Sequence, residues 1–180
     1  MTLLKQIQLM AQYNQWMNEN IYTSSMKLSN EKLSENKKAF FKSISGTLNH
    51  ILVADIIWLK IFSQHPANYT ELEPITKIKQ PTSLDQILHS DFDKLFQERR
   101  DLDYLIIKWC HEISEVDLSH HLEYKNMKEI PAIREFGSLI FHFFNHQTHH
   151  RGQVSTLLFQ EGIDVGNTGL QTQIPDYIGT

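Results

Sequence analysis

The sequence has a single cysteine, Cys110, among its 180 residues, so no disulfide can form within the chain. A lone cysteine is typical of proteins from a reducing compartment. Glycine is also scarce, with seven residues, and none of them forms a G-x-x-x-x-G-K or G-x-G-x-x-G motif. A C-x-x-C pair is absent as well. The sequence therefore gives no support for a nucleotide-phosphate loop, a zinc knuckle or a disulfide framework.

An excess of positive charge and a long apolar run are missing too. The formal net charge is -4 and the basic residues are scattered, whereas nucleic-acid-binding domains usually carry a basic face. The longest apolar run, Ile51 to Phe62, contains Asp55 and Lys60 and is too short to span a bilayer. The first residues show no apolar signal-peptide core. We expect a soluble cytoplasmic protein with no direct nucleic-acid partner and no membrane association.

Apolar residues at spacings of three and four predict long amphipathic helices. The length suits one domain, so we expect residues 1–180 to form a single helical bundle domain. Residues 64–82 contain three prolines and predict a long connection between the second and third helices. The four predicted helices span about residues 3–28, 43–63, 82–113 and 132–160.

Local signals mark several of these helix boundaries. Ser43 is placed to cap the second helix, and Ser83 followed by Gln86 has capping-box spacing at the start of the third. Pro131 suits the first turn of the last helix, and Gly162 is placed to terminate it.

Strand signals are sparse. Residues 118–129 alternate in part between apolar and polar side chains, with Asn126 at a position that suits a turn, so a short hairpin is one interpretation. The rest of the chain is dominated by helical periodicity. The sequence therefore predicts an all-α fold, a four-helix bundle with one long crossover between helices 2 and 3.

Histidine is abundant, with ten residues that are most concentrated between His142 and His150. His146 and His150 are four residues apart, so a helix places them on one face, one turn apart. His142 and His146 have the same spacing, and spacing alone does not choose between the pairs. The apolar stripe that includes Leu139 favours His146 and His150 as the pair that faces the core, with His142 and His149 at its edge.

A third ligand is needed from another helix, because a metal on two histidines is held weakly. His50 is the candidate, since it stands at the head of the apolar second helix. Three imidazoles leave an open coordination position, which is typical of catalytic rather than structural zinc sites. Nitrogen donors suit Zn, Ni, Co or Fe better than Mg or Ca. The competing interpretation is that these histidines are hydrogen-bonded core residues without a metal.

Other reactive residues have plainer interpretations. Cys110 lies in an apolar stretch and is expected to be a small buried hydrophobe rather than a nucleophile. The charged stretch of residues 97–103 is expected to be a solvated helix face. The remaining histidines are expected at the surface, namely His65, His89, His111, His120 and His121.

Two segments resemble the DinB family. They are TLNHILVADIIWL, which contains His50, Asp55 and Trp58, and HFFNHQTHHRGQV, residues 142–154. The likeness extends to LLFQEGIDVG after the second segment, to the Phe-Phe pair before SISGTLNH and to Ile-Pro-Asp near the end of the chain. It covers nearly the whole sequence.

The resemblance implies an up-down-down-up bundle and a zinc or nickel ion on three histidines, which match His50, His146 and His150 here. Family members resemble thiol transferases that use mycothiol or bacillithiol, and they often form homodimers. The family takes its name from a DNA-damage-inducible gene, which describes regulation and not an act on DNA.

Two functional hypotheses follow. The first is a metal-dependent enzyme, similar to a thiol S-transferase or a hydrolase, that acts on a small molecule, with a low-molecular-weight thiol as one candidate. Asp55, Asn145 and Gln153 are candidates to support the ligating imidazoles. The second is a non-catalytic stress-response protein in which the metal staples the helices together.

Overall fold

The computed structural model describes residues 2–176. In that part of the chain it contains six α-helices and two β-strands. The elements in chain order are α1 (Leu3–Ser25), α2 (Asn30–Ser34), α3 (Ile44–Phe62), α4 (Glu73–Lys77), α5 (Phe92–Glu112), β1 (His121–Lys125), β2 (Pro131–Glu135) and α6 (Phe136–Gln160).

Four of the helices are long and pack against one another. Helix α1 contacts α5 and α6, and α3 contacts α6 and α5. Each of these helices contributes fully buried side chains to one hydrophobic cluster, among them Ile21, Leu52, Trp109 and Phe143. The prediction of a mostly helical protein is therefore confirmed, with a small two-stranded sheet added to it.

Helix α3 is the most buried of the four. Ser43 Oγ accepts a hydrogen bond from the Gly46 backbone amide at 3.0 Å and caps the helix as predicted. By length and composition α3 would be able to cross a membrane, but 83% of its apolar window is buried inside the protein. A core helix surrounded by other helices has this character.

The predicted start of the third long helix is wrong. Residues 82–91 form turns and bends, and α5 begins only at Phe92, where the Asp91 carboxylate caps it. The cause is tertiary, because the side chain of Asn49 on α3 binds this segment. Its Oδ1 accepts hydrogen bonds from the amides of Leu88 and His89 at 2.8 and 3.0 Å, and its Nδ2 donates to the His89 carbonyl. A helix would use these backbone groups internally.

The hairpin interpretation is confirmed, while the predicted start of the last helix is wrong. Strands β1 and β2 pair antiparallel with His121 opposite Glu135 and Lys125 opposite Pro131. The Asn126 amide donates to the Ile130 carbonyl at 3.1 Å and closes the turn. Pro131 is the first residue of β2, a strand position at which proline is tolerated, and α6 begins five residues later.

Two expected surface features are buried. Within residues 97–103, Arg99 and Asp103 have 0% and 3% exposure, so this stretch is not a solvated face throughout. Arg99 bonds Asp55 of α3 at 2.5 Å and Asp103 at 2.9 Å. His65 is also buried, in contact with aromatic rings, whereas Cys110 is buried as predicted.

Candidate metal centre

Three histidine rings from two helices meet at one point. His50 extends from the first half of α3, and His146 and His150 extend from α6, one turn apart. The His50 Nε2 atom lies 3.1 Å from Nε2 of His146 and 3.1 Å from Nε2 of His150. One ligand atom from each ring lies within 4.8 Å of the other two. The structure thus brings together the three histidines that the sequence singled out.

The outer nitrogens of two rings have fixed partners. His50 Nδ1 lies 2.8 Å from the Leu84 carbonyl oxygen, which only accepts hydrogen bonds, so Nδ1 carries the proton. His150 Nδ1 lies 2.8 Å from Gln153 Oε1 and donates to it in the same way. In the neutral rings both Nε2 atoms then hold lone pairs, and two lone pairs at 3.1 Å cannot hydrogen-bond to each other. A cation between them would remove this repulsion.

The protonation state of the rings suits metal binding. Burial lowers the pKa of His50 to about 4 and that of His146 to about 3, with the neighbouring histidines adding to the effect. Burial also lowers the pKa of His150. All three rings are therefore neutral at pH 7, and the neutral imidazole is the form that ligates a metal.

The donor set fits a divalent transition metal. A tetrahedral ion with Zn–N bonds of about 2.0–2.1 Å holds its nitrogen ligands roughly 3.3 Å apart, close to the 3.1 Å separations found here. The hydrogen bonds at Nδ1 of His50 and His150 match the usual way in which ligating imidazoles are oriented. Three nitrogen donors suit Zn, Ni, Co or Fe better than Mg or Ca.

Phe41 covers one side of the cluster. Its ring stacks on His50 with centroids 3.7 Å apart and an interplanar angle of 14°, and it meets the edge of His150 at 5.5 Å. This approach depends on Gly46, because a Cβ atom at that position would overlap the Phe41 carbonyl oxygen. A glycine in the first turn of α3 thus allows the loop to place Phe41 on the His50 ring.

The other predicted residues lie elsewhere or at the margin. His142 and His149 are exposed and are not among the three converging ligands. Gln153, which contacts His150, also contacts His149, with 3.1 Å between Gln153 Nε2 and His149 Nε2. Of the three candidates for supporting the imidazoles, only Gln153 contacts a ligand. Asp55 pairs with Arg99, and Asn145 borders a cavity between α1 and α6.

Sequence reasoning missed two parts of the site. The Leu84 carbonyl lies in the segment that was predicted as helix, where it would have bonded within the helix. Phe41 belongs to the Phe-Phe pair of the family resemblance, and this pair is the signal in the sequence that marks it. Both contacts depend on loop paths that periodicity does not describe.

A cavity of about 490 Å³ adjoins the cluster, and Phe41 is not among the residues that line it. His50 and His146 form part of its wall, and Leu84 and residues of α3, α6, β1 and the β1–β2 turn form the rest. Its volume falls within the range of about 300–1,000 Å³ that is usual for small-molecule sites. The histidine cluster is therefore accessible to a small molecule from this side.

Comparisons with known proteins identify the family. The model of the DinB family matches residues 2–176. Protein DinB of Bacillus subtilis (strain 168) is 25% identical over 151 residues, which cover 84% of this chain and 83% of that protein. No solved structure matches the chain.

Proposed function

This chain belongs to the DinB family, and from this premise we propose that it is an enzyme that depends on one divalent metal ion bound by His50, His146 and His150. The observation that carries the proposal is the convergence of three Nε2 atoms, two of them held as lone-pair donors by partners at Nδ1. A buried cluster of three neutral imidazoles without a metal would leave these lone pairs facing each other.

An enzyme is favoured over a purely structural site by the access to the cluster. When bound in such a place, a divalent ion supplies Lewis acidity, which would lower the pKa of a bound thiol or water toward neutral pH. The chain's own residues then have defined tasks. Leu84 and Gln153 orient the ligands, Phe41 excludes water where it covers the cluster, and the adjoining cavity admits a substrate.

Finer features of the proposal derive from the sequence and from the family resemblance. We propose zinc or nickel as the ion, a low-molecular-weight thiol as one substrate, and a reaction of the S-transferase or hydrolase type. We further propose an up-down-down-up order of the four long helices, a single domain over residues 1–180, a cytoplasmic location and a homodimer.

Metal content measured by elemental analysis tests the site. We expect about one equivalent of Zn or Ni per wild-type chain and loss of most of it in His146→Ala, since two imidazoles hold a metal weakly. His142→Ala is the matched control, because it removes a histidine one turn away on the same helix that is not one of the three converging ligands. It should retain the metal.

Two results would overturn the metal site. One is the absence of metal from wild-type protein after reconstitution with Zn²⁺ and Ni²⁺, and the other is equal metal loss in both variants. Enzymatic activity needs a separate test, in which the metallated protein is offered thiols with electrophiles and small hydrolysable esters. Turnover that depends on the metal supports the enzyme, and no turnover on any of these argues against it.

A metal staple without catalysis is the second candidate. It is favoured by one observation, namely that the three histidines belong to two helices, α3 and α6, which an ion would join. Joining two elements makes metal binding a part of the folding free energy. A metallated protein that is stabilised by its ion but turns over none of the substrates above would support this candidate.

A further inference from the structure

The cavity beside the histidine cluster has mainly apolar walls. The indole of Trp58 is its largest side chain and lies with its ring centroid 5.5 Å from that of Tyr124 and 5.1 Å from that of His142. Ile57 and Ala54 of α3 extend the apolar wall. Such a surface, with a few polar groups at one end, is typical of a small-molecule site.

Apolar side chains at this cavity are exposed in a way that folding does not explain. Leu84 is 47% exposed, Met127 is 38% exposed and Ile130 is 55% exposed, and all three line the cavity. Single exposed apolar residues are normal, but several that converge on one cavity mark a binding surface. A ligand with an apolar group would cover them.

The wall that the hairpin contributes is fixed before any ligand binds. Asn126 Oδ1 accepts hydrogen bonds from the backbone amides of Lys128 and Ile130 at 2.9 and 3.2 Å. The backbone amide of Asn126 donates to the Ile130 carbonyl and closes the turn. A turn held in this way presents Met127 and Ile130 to the cavity without ordering cost. Preformed walls raise affinity for a ligand that fits them.

The charge of the cavity is one-sided. Lys128 is a cationic side chain on its wall, and no carboxylate lines it in the part of the chain that the structure describes. A bound divalent ion would add further positive charge at the inner end. An uncharged or anionic ligand therefore meets no repulsion, whereas a cationic one does.

We propose that the substrate of the metal site carries a bulky apolar group, aromatic in size, which lies against Trp58 between α3 and the β1–β2 turn. Its reacting end then reaches the cluster at His50 and His146. The group is uncharged or anionic. This inference rests on the proposed metal-dependent function, but its main contact, Trp58, is separate from the three ligands.

The first test uses Co²⁺-loaded protein and two thiols of similar acidity, benzyl mercaptan and 2-mercaptoethanol. Binding is followed by the change in the Co²⁺ visible spectrum. We expect benzyl mercaptan to bind about tenfold more tightly or better, because burying an aromatic ring adds at least the free energy of one decade in affinity. A benzyl mercaptan with a para-aminomethyl group, cationic at pH 7, should lose most of this advantage.

Two variants locate the preference. Trp58→Ala should bring the two thiols to within about twofold of each other, without a change in cobalt content. Phe159→Ala is the matched control, since Phe159 is an aromatic residue with 71% exposure on α6 that does not line the cavity. It should keep the wild-type preference. Thermal melts followed by circular dichroism confirm that each variant is folded.

The second test needs no metal. Anilinonaphthalene sulfonate, an apolar anion, is titrated into protein treated with chelator, and benzyl mercaptan is used to displace it. We expect binding that weakens about tenfold in Trp58→Ala and is unchanged in Phe159→Ala.

The outcomes separate the two proposals. If the protein binds cobalt but binds the two thiols with equal affinity, and Trp58→Ala changes neither affinity, the proposal of an apolar substrate is overturned and the metal site stands. No cobalt binding, with fluorophore binding that depends on Trp58, overturns the metal-dependent function and supports the cavity. If Trp58→Ala does not change the binding of anilinonaphthalene sulfonate, the proposed binding role of the cavity is contradicted in either case.

Discussion

At the scale of single residues, the candidate metal centre depends on the ring nitrogens that face away from it. Gln153 accepts a hydrogen bond from Nδ1 of His150, and the Leu84 carbonyl accepts one from Nδ1 of His50. Each partner holds the proton on Nδ1 and leaves the lone pair on Nε2, where the rings converge. Groups that orient ligating imidazoles in this way contribute about 10–100-fold to metal affinity in other proteins.

Gln153→Ala should therefore weaken metal binding by about 10–100-fold without abolishing it. Competition with a chromophoric chelator measures this affinity. Gln160→Ala is the matched control, because Gln160 is an exposed glutamine near the end of the same helix. If both variants bind the metal as tightly as the wild type, the Gln153 hydrogen bond does not orient His150 in the metallated protein.

His65 is a second residue whose protonation state depends on the fold. The ring is 3% exposed, and its Nδ1 accepts a hydrogen bond from the Ala67 amide at 3.1 Å. Burial lowers the pKa of His65, and the nearby His120 acts in the same direction, while Asp117 opposes it. The ring lies outside the histidine cluster of the candidate metal centre and contacts Phe136 at the start of α6.

A lowered pKa in the folded state makes His65 a source of acid sensitivity. Below a pH of about 6.5, the unfolded-state pKa of histidine, His65 is protonated in the unfolded chain but not in the folded chain. The free energy of unfolding therefore decreases as the pH falls. Between pH 7.5 and pH 5.5, His65→Gln should lose less free energy of unfolding than the wild type. Urea titrations at the two pH values measure it. His111→Gln, an exposed control, should match the wild type, and equal losses in all three proteins would contradict the prediction.

At the scale of elements, α5 shows how charged residues become core residues. Arg99 and Asp103 are one turn apart on α5, and Arg99 pairs with both Asp103 and Asp55 of α3. Asn18 of α1 donates to Asp103 at 2.9 Å. The cluster thus connects three helices through buried hydrogen bonds. Burial raises the pKa of Asp103, and Arg99 opposes this effect.

Arg99→Met should lower the free energy of unfolding by about 3–5 kcal/mol, because it leaves two buried carboxylates without their cation. The matched control is Arg100→Met. Arg100 pairs with Glu19 at the surface, where both side chains are about half exposed, so this change should cost no more than about 1 kcal/mol. Urea unfolding at pH 7 gives both values. Equal, small losses would mean that the carboxyl groups are neutral in the wild-type protein.

The segment before α5, residues 82–91, shows that helical periodicity is not sufficient to form a helix. Its residues carry the apolar spacing and capping residues of a helix start, yet Asn49 binds the backbone of Leu88 and His89. The carbonyl of Leu84 is then free to accept from His50. A local preference was overridden at the place where the site needed a backbone acceptor.

At the scale of the whole molecule, the histidines connect α3 with α6, two helices that pack together. A ligand that binds only the folded protein stabilises it, by about 2.7 kcal/mol when its free concentration is 100 times its Kd. For a chain of this size, a stabilisation of that order corresponds to a rise in Tm of roughly 5–10 °C.

Removal of the metal by a chelator should therefore lower Tm by roughly 5–10 °C. Differential scanning calorimetry with and without EDTA measures the shift, and added Zn²⁺ should reverse it. His146→Ala serves as control and should show a much smaller response to the chelator. An unchanged Tm in the wild type would exclude the metal staple and would leave only a weakly bound ion.

By itself the sequence determined the elements that local periodicity specifies. The long apolar helix α3, the pairing of His146 and His150 on one face of α6, and the family follow from residue spacing and motifs, because a helix places residues four apart on the same side. The choice of His50 as third ligand rested on its place in the same apolar helix and on the resemblance.

Only the tertiary structure decided what depends on contacts between distant residues. It buried Arg99 and His65, which looked like surface residues, because partners on other elements surround them. It placed the Leu84 carbonyl and the Phe41 ring on His50, since loop paths follow from packing and not from spacing. It also formed the cavity between α3, α6 and the hairpin, whose walls come from residues as far apart in the chain as His50 and His146.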